Sequence, residues 1–540
     1  MTVAWLLAMS LGCDPWGATG ATRPTGQTPV DEAVPSPPAP PDPLSPTRSP
    51  VPSSVPPRTT TAPIVPGSPP SSPSSPTSSL TSPPTSPPII TAGTRPTTAA
   101  PPTADLALAP EHRRAGRALM VYTEPHYGTE FRGKIPRGQV FELLERIERI
   151  ERTERTECKG DGWGRLDTAA YVCLHRTEPV DDPAPLLPER LADGLAPFFY
   201  ARLQKRGSHT EPTPAPRWRS RRAMRRGVPP EDHLQPEHDY AFVRRRRSRD
   251  GALLVTASNR VVREADVHRM KPSPFAGRNV RARPIPPNTV IAWSIDWPYA
   301  TIRAQPDPEA EEVGRLPLHA EALLRGESPD PPPDEPQTEP PGPPRIEPTT
   351  HRGARWRPVL EPAEGWIPVS QIRWWAPMPP PTDVDPHEIW LDVDLDQQVL
   401  ALRRGSTLEF VTLISSGSPK HATPTGLFRL LSKWAFADMR SRPNDPEDPY
   451  YVEGVPWVQY FRGRYALHGT FWHNRFGRRT SHGCINLSAH DARWIYEHTA
   501  PAARPGWLVI HEHTQDPGTL LRIRKGTAEP PDRRRPPRGH

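Results

Sequence analysis

The clearest hydrophobic pattern lies towards the C-terminal end of the chain, where apolar and polar positions alternate with the two-residue period of a β-strand. Ile389, Leu391, Val393 and Leu395 would all project from one face of such a strand. Further strands are predicted over residues 399–402, 410–414, 427–431, 464–467 and 507–511, and a helix over residues 491–499. The pattern predicts a mainly β domain over residues 386–513 with one or two helices.

Between two of these strands, residues 433–460 are long, aromatic and rich in proline. Connections of this length are uncommon in compact domains unless they have a function. We therefore expect this segment to form a lid or a substrate wall over a site.

Two earlier stretches share a second β pattern. Residues 118–122 form an apolar strand, and Gly162-Trp163 leads into another. A similar order of strand, turn and Gly-Trp recurs around Gly365-Trp366, so residues 116–180 and 290–375 are predicted to be related β modules. A Pro-rich insertion over about residues 328–348 interrupts the second module and is expected to be a surface loop.

The sequence does not decide the structure of two segments. An Ile/Thr-Glu-Arg repeat runs from Glu145 to Glu157, and its four-residue Glu–Arg spacing would support a short exposed helix. A charged hairpin is equally compatible with the repeat, and an expanded loop is the interpretation that we favour. Residues 190–285 are an uncertain β-containing region. Within it, residues 240–247 and 253–257 flank an Asp-Gly pair and predict a hairpin.

Composition shows that much of the chain cannot bury a core. The 540 residues include 81 prolines, and only 34% of them are hydrophobic. Residues 23–110 are rich in Pro, Ser and Thr and predict a disordered linker. Residues 1–22 hold an apolar run typical of an export signal and too short to span a bilayer. Because Ser-Leu-Gly-Cys resembles a lipoprotein cleavage box, this signal is either a lipoprotein signal with Cys13 lipidated or an ordinary secretory one.

The positive charge is concentrated in arginine-rich runs. The formal net charge is +7, with runs at residues 217–226 and 244–249 and a basic tail over residues 514–540 that is predicted to be disordered. A nucleic-acid partner is not expected, because the runs lack aromatic interleaving and a recognisable binding fold. A basic exported protein instead suits contact with anionic envelope polymers.

The residues that carry chemistry lie near the C-terminus. A His-Gly-Thr run, residues 468–470, is followed after a polar loop by Ser-His-Gly-Cys-Ile-Asn, residues 481–486. A thiol, an imidazole and glycine-flanked backbone amides are what nucleophilic acyl transfer requires. A buried inert cysteine, a structural turn and a zinc site are the competing interpretations. The zinc site would use His468, His473, His482 and Cys484, although this spacing matches no usual zinc pattern.

The stretch resembles the catalytic signature of the L,D-transpeptidase (YkuD-like) family: an upstream His-Gly, then Ser/Thr-His-Gly-Cys, an apolar residue and Asn or Arg. The resemblance implies that Cys484 is the nucleophile and His468 the general base. It also implies a YkuD-like β-sandwich and a reaction without cofactor or metal. The implied substrate-binding residues are Gly469, Thr470, Ser481, His482, Gly483 and Asn486.

The resemblance further implies a reaction. A Cys484 thiolate, formed near neutral pH, would attack a peptide bond between an L and a D centre in a peptidoglycan stem peptide. The backbone amides of Gly483 and Cys484 would hold the oxyanion, and an amine would resolve the thioester into a cross-link. Water as the acceptor would make the protein an L,D-carboxypeptidase, and a non-catalytic wall-binding protein is the remaining alternative.

The two β modules resemble bacterial SH3-like modules, which implies either cell-wall binding or a structural spacer. In an exported protein Cys158 and Cys173 are expected to form a disulfide, which leaves Cys484 as a free thiol. We expect the protein in the bacterial cell envelope or periplasm, with membrane contact only through a possible lipid anchor at Cys13.

Overall fold

The computed structural model describes residues 111–147, 158–159, 161–181, 197–203, 214–236, 238–248, 251–326, 348–441 and 449–534. The predicted signal with Cys13, the linker, most of the triplet repeat and almost all of the Pro-rich insertion lie outside these residues. Within them the protein is mainly β, as predicted. No helix of the described part is long and apolar enough to cross a membrane.

The first stretch, residues 111–181, folds as short antiparallel strands around a core that includes Val121, Phe141 and Val172. Cys158 and Cys173 form a disulfide at its last hairpin. The assignment to the SH3-like class stays a prediction. The strands are β1 (Glu111–Ala115), β2 (Leu119–Tyr122), β3 (Phe131–Ile135), β4 (Val140–Leu143), β5 (Glu145–Ile147), β6 (Trp163–Asp167), β7 (Ala170–Cys173) and β8 (Thr177–Pro179).

The middle region contains the predicted hairpin, because β13 and β14 pair in antiparallel fashion on either side of residues 249–250. A 3-10 helix, Glu264–Asp266, precedes β16. The elements are β9 (Phe199–Leu203), β10 (Pro216–Arg217), α1 (Arg221–Arg225), β11 (Asp232–His233), β12 (His238–Phe242), β13 (Arg244–Ser248), β14 (Gly251–Val255), β15 (Val261–Arg263), β16 (Val267–Met270) and β17 (Arg278–Asn279).

The second module forms its own sheet around a core that includes Ala292, Ile302 and Leu324. Its SH3-like assignment also stays a prediction. The strands are β18 (Thr289–Ser294), β19 (Tyr299–Arg303), β20 (Glu312–Pro317), β21 (Glu321–Arg325), β22 (Thr349–His351), β23 (Ala354–Glu361), β24 (Gly365–Pro368) and β25 (Ile372–Trp374), with a 3-10 helix at Val369–Gln371.

The C-terminal domain packs two sheets and one helix around a core that includes Leu391, Phe428, Leu467 and Ile495. This arrangement is sandwich-like, as predicted. The elements are β26 (Ile389–Asp394), β27 (Val399–Arg404), β28 (Thr407–Leu413), β29 (Gly426–Arg429), β30 (Ser432–Arg440), β31 (Tyr451–Arg462), β32 (Tyr465–Gly469), β33 (Ile485–Leu487), α2 (Ala489–Glu497), β34 (Val509–His511) and β35 (Leu520–Arg524).

The prediction of a disordered tail from residue 514 is wrong for the part that the structure describes. β35 lies between β26 and β29 and is buried along its whole length. Its two arginines concealed the strand in the sequence, because charged residues are rarely buried unless they are paired. Arg522 and Arg524 both donate to the buried Asp392 carboxylate, and Arg524 also donates to Asp394.

Residues 433–460 fold as a long hairpin rather than as an irregular connection. β30 and β31 pair from Ser432 opposite Tyr460 to Arg440 opposite Tyr451, and residues 442–448 between them lie outside the described part. The aromatic and β-branched side chains of β31 suit a strand. A lid or substrate wall stays a prediction for this hairpin.

The hairpin also joins three parts of the chain in one sheet. β31 pairs with β12 of the middle region, and β30 pairs with β34, which in turn pairs with β3 of the first module. The strand predicted over residues 507–511 therefore bridges two folded units. Backbone hydrogen bonds between distant segments leave no local signal in the sequence.

Candidate active site

Two short parallel strands bring the halves of the motif together. Leu467 of β32 lies opposite Ile485 of β33, and His468 lies opposite Asn486. Because Leu467 and Ile485 project into the apolar core, the two-residue alternation places His468, Asn486 and Cys484 on the other face. A strand spacing of about 4.8 Å and a rise of about 3.3 Å per residue separate the Cα atoms of His468 and Cys484 by roughly 8 Å.

The imidazole of His468 is neutral and has one nitrogen that can accept a proton. Its side chain is only 2% exposed, and its Nδ1 lies 3.2 Å from the carbonyl oxygen of Gly469. A carbonyl oxygen can only accept, so Nδ1 carries the hydrogen and Nε2 keeps a lone pair. Burial lowers the pKa of His468 to about 4, so the ring is uncharged at neutral pH.

Cys484 is the one free cysteine that the structure describes, and it is half-buried. Its Sγ lies 3.6 Å from the carbonyl oxygen of Arg464, at the margin of an apolar cluster. Burial raises the pKa of the Cys484 thiol to about 11. This environment opposes the neutral-pH thiolate expected from the resemblance and favours the protonated thiol before substrate binds.

The turn that presents the thiol is held by side chains on both sides. The Ser481 hydroxyl donates to the carbonyl oxygen of Cys484 at 2.5 Å, and the Thr423 hydroxyl donates to that of Gly483 at 2.8 Å. Gly483 has φ +113°, and a Cβ on it would lie 2.6 Å from Cε1 of Tyr465. Only glycine fits this position, because both the backbone conformation and the close ring exclude a side chain.

The two expected oxyanion donors differ in their availability. The Gly483 N–H already donates to Oγ of Ser481 at 3.1 Å. Among the residues that the structure describes, the Cys484 N–H has no hydrogen-bond acceptor. The Cys484 amide is therefore the donor that a developing oxyanion can use without breaking an existing bond.

Asn486 lies beside a histidine that the sequence considered only as a zinc ligand. Its amide Nδ2 is 2.9 Å from Nε2 of His473, and its buried Oδ1 has no partner among the described residues. Nδ1 of His473 accepts from the Arg475 N–H, so the single proton of the neutral ring belongs on Nε2. These hydrogen bonds favour an Asn486 side-chain amide rotated by 180°, so that its Oδ1 instead of Nδ2 faces His473 and accepts the Nε2 hydrogen.

The other predicted substrate-binding residues differ in their exposure to solvent. Gly469 and Thr470 are buried, so their side-chain positions face protein rather than a cleft. His482 is exposed, and its ring centroid lies 4.8 Å from that of His421 and 4.5 Å from that of Tyr450. Sequence reasoning missed His421 and Tyr450, although Tyr450 lies in the segment predicted to cover the site.

A buried carboxylate ties the helix behind the site to the rest of the protein. Ser488 caps α2 by accepting from the N–H of Asp491 at 3.1 Å. The Asp491 side chain accepts from the Gly277 N–H at 2.8 Å and from the Thr412 hydroxyl at 2.5 Å. Burial raises the pKa of Asp491 to about 6. Its Ser-x-x-Asp pattern was the available signal that sequence reasoning did not use.

The zinc interpretation finds no support in the described residues. No group of three or more His, Cys, Asp or Glu side chains there is placed to hold a metal ion. Nδ1 of His468 faces a backbone carbonyl, and both ring nitrogens of His473 make hydrogen bonds.

Comparison with known proteins identifies the domain that carries this site. Residues 388–520 match the model of the L,D-transpeptidase catalytic domain, the YkuD family. The match confirms the resemblance of this part of the chain to the L,D-transpeptidase family. The match contains β26 to β34, helix α2 and both halves of the His–Cys motif.

Individual relatives are distant. YciB of Bacillus subtilis (strain 168), named provisionally as an L,D-transpeptidase, is 28% identical over 133 residues, which are 21% of this chain and 63% of YciB. A mutant L,D-transpeptidase of Enterococcus faecium is 20% identical, with a TM-score of 0.20, over 25% of this chain and 50% of that one. L,D-transpeptidase 3 of Mycobacterium tuberculosis is 19% identical, with a TM-score of 0.21, over 30% and 74%. The two solved structures carry no argument about this chain, because their TM-scores are only 0.20 and 0.21.

Proposed function

We propose that this protein is a cysteine-dependent L,D-transpeptidase that forms cross-links between peptidoglycan stem peptides. The observation that carries the proposal is the pairing of β32 with β33, which brings the backbones of His468 and Cys484 within roughly 8 Å of each other, while Nε2 of the neutral His468 ring keeps its lone pair. The match to the L,D-transpeptidase catalytic domain supplies the substrate class.

Both groups rest in their neutral forms, so proton transfer accompanies attack. As Sγ of Cys484 bonds to the substrate carbonyl carbon, Nε2 of His468 takes the thiol proton, and the carbonyl oxygen becomes an oxyanion beside the Cys484 N–H. Collapse breaks the carbon–nitrogen bond, and the imidazolium returns the proton to the departing D-amino acid. The product is a thioester on Cys484.

The second half of the reaction regenerates the thiol. An amine of a neighbouring stem attacks the thioester carbonyl and loses a proton to Nε2 of His468. Expulsion of the thiolate forms the new amide bond, and the imidazolium then reprotonates Sγ. Water in place of the amine would give the carboxypeptidase product from the same residues.

We further propose that the protein works outside the cytoplasm, in the cell envelope or periplasm. The Cys158–Cys173 disulfide supports this location, because disulfides persist in oxidising compartments. Cys484 stays a free thiol in a protein that also forms a disulfide, which fits a thiol kept for chemistry. Peptidoglycan stems would be accessible there, and the β modules would supply wall contact.

The test compares the wild-type protein with Cys484→Ala and His468→Gln on tetrapeptide-stem muropeptides, analysed by mass spectrometry. We expect dimers that lack one terminal D-alanine from the wild type and none from Cys484→Ala. His468→Gln keeps the size of the side chain but loses the base, so at least a 100-fold slower reaction is expected. Circular dichroism of each variant provides the folding control.

The alternatives give different products. Trimmed monomers without dimers would indicate the carboxypeptidase. Unchanged muropeptides in the presence of all three folded proteins would favour the wall-binding alternative. Dimer formation by Cys484→Ala at the wild-type rate would refute the assignment of the nucleophile.

A further inference from the structure

The middle region, which lies outside the L,D-transpeptidase match, contributes to an apolar cluster that borders Cys484. Phe198 and Tyr200 share one buried apolar cluster with Val455 of the β30–β31 hairpin and with Phe471, which follows the His-Gly-Thr run. Cys484 lies at the margin of this cluster. A segment that the sequence left uncertain therefore contributes to the interior beside the thiol.

Tyr200 makes the closest of these contacts. Its ring stacks on Phe471 with centroids 3.5 Å apart and an interplanar angle of 9°. Its hydroxyl donates to the carbonyl oxygen of Gly454 at 2.7 Å, and its side chain is 2% exposed. One residue of β9 thus holds both the segment after His468 and the hairpin next to the site.

The hairpin is shaped to receive this region. Gly454 has φ +60°, and a Cβ on it would lie 2.6 Å from a ring carbon of Phe198. Its N–H donates to Oδ1 of Asp438 at 2.8 Å, so both backbone polar groups of Gly454 are bound by side chains. β12 adds parallel pairing at Asp239 opposite Val452. These contacts fix the position of the hairpin relative to β9.

A short series of rings continues from Tyr200 to the candidate base. Phe471 meets Trp472 edge-on with centroids 4.8 Å apart, and Trp472 lies 5.7 Å from the His468 ring. The next residue, His473, bonds the amide of Asn486 on the strand that follows Cys484. Displacement of Phe471 would therefore move side chains on both sides of the proton-transfer pair.

We propose that Tyr200 is a positioning residue of the acyl-transfer site, and that its stacked ring acts through Phe471 and Trp472 on His468. This inference rests on the proposed function. Proton transfer between His468 and Cys484 depends on their relative placement, and an error of about 1 Å can cost on the order of 100-fold in rate.

The experiment separates positioning from simple stability with three variants. Tyr200→Leu removes the stacked ring, and Tyr200→Phe keeps the ring and loses only the bond to Gly454. Tyr299→Leu is the control for the loss of a tyrosine ring in another module, because Tyr299 is a half-buried residue of β19. For each we would measure kcat and KM with the donor muropeptide, and the thermal unfolding midpoint.

We expect Tyr200→Leu to lower kcat at least tenfold with KM within about twofold, and Tyr200→Phe to restore most of kcat. Tyr299→Leu should leave both constants unchanged. A loss of unfolding midpoint in Tyr200→Leu with kcat unchanged would overturn the inference and leave Tyr200 a structural residue.

A second measurement does not depend on turnover. Loss of the ring should open the cluster around the thiol, so Tyr200→Leu should raise the rate of Cys484 alkylation at pH 8 at least fivefold, and Tyr200→Phe should not. An unchanged alkylation rate would refute the inference even if the wild type proved inactive on muropeptides. Inactivity of the wild type with the expected alkylation pattern would instead count against the proposed function alone.

Discussion

The state of the Cys484 thiol before substrate binds can be tested directly by its alkylation as a function of pH. Burial raises the pKa of this thiol to about 11 from an ordinary value of 9.0. At pH 7 the thiolate fraction is then about 1 in 10,000, compared with about 1 in 100 for the unperturbed thiol. We expect iodoacetamide to modify folded Cys484 about 100-fold more slowly at pH 7 than the same cysteine in the unfolded chain.

The assay follows the Cys484-containing peptide by mass spectrometry between pH 6 and pH 10. The rate should rise about tenfold per pH unit with no plateau over this range, because only the thiolate reacts. Peptide-level detection distinguishes Cys484 from Cys13, and the paired Cys158 and Cys173 stay unmodified without reductant.

A plateau at or below pH 8 would refute the reasoning, since it would mean that His468 and Cys484 exist as a preformed ion pair. His468→Gln is the control that separates the two situations. With a neutral resting imidazole, this substitution should leave the shape of the profile unchanged. With an ion pair, the same substitution should remove the plateau.

Three further predictions concern the turn, the disulfide and the buried base. Gly483→Ala should lower turnover at least tenfold, because its Cβ would lie 2.6 Å from a carbon of the Tyr465 ring at φ +113°; wild-type kinetics would contradict this. Replacing Cys158 and Cys173 by serine should cost about 3 kcal/mol of unfolding free energy through a loop of 15 residues, measured by denaturant titration without reductant, and equal stability would argue against the disulfide. The pKa of His468 falls from 6.5 to about 4 on folding, so its contribution to stability is present above pH 6.5 and is lost, by up to about 3 kcal/mol, as pH falls to 4. The unfolding free energy of the wild type minus that of His468→Gln, measured as a function of pH, gives the contribution of His468. If this difference did not vary with pH, the prediction would be contradicted.

Local patterns in the sequence were sufficient for several elements in which apolar and polar positions alternate clearly. The alternation of Leu391 and Val393 predicted β26, and the helix behind Cys484 was placed within a few residues of α2. The His–Gly and Ser-His-Gly-Cys runs indicated acyl-transfer chemistry by their residue types, and their resemblance to a family signature assigned the candidate base and nucleophile. Residues of this kind act over short distances, so their spacing is visible in the chain.

Only the tertiary structure decided features that depend on partners far away in the sequence. β35 is a strand because Asp392 and Asp394, some 130 residues earlier, neutralise its arginines. The pKa of the thiol is raised because an apolar cluster built from segments far apart in the sequence desolvates it, a cost that no local motif encodes. Tyr200 reaches the site for the same reason: strand pairing and ring stacking join segments more than 200 residues apart. The sequence alone determined which groups could react, and folding determined the side chains that surround them and the pKa shifts that follow from burial.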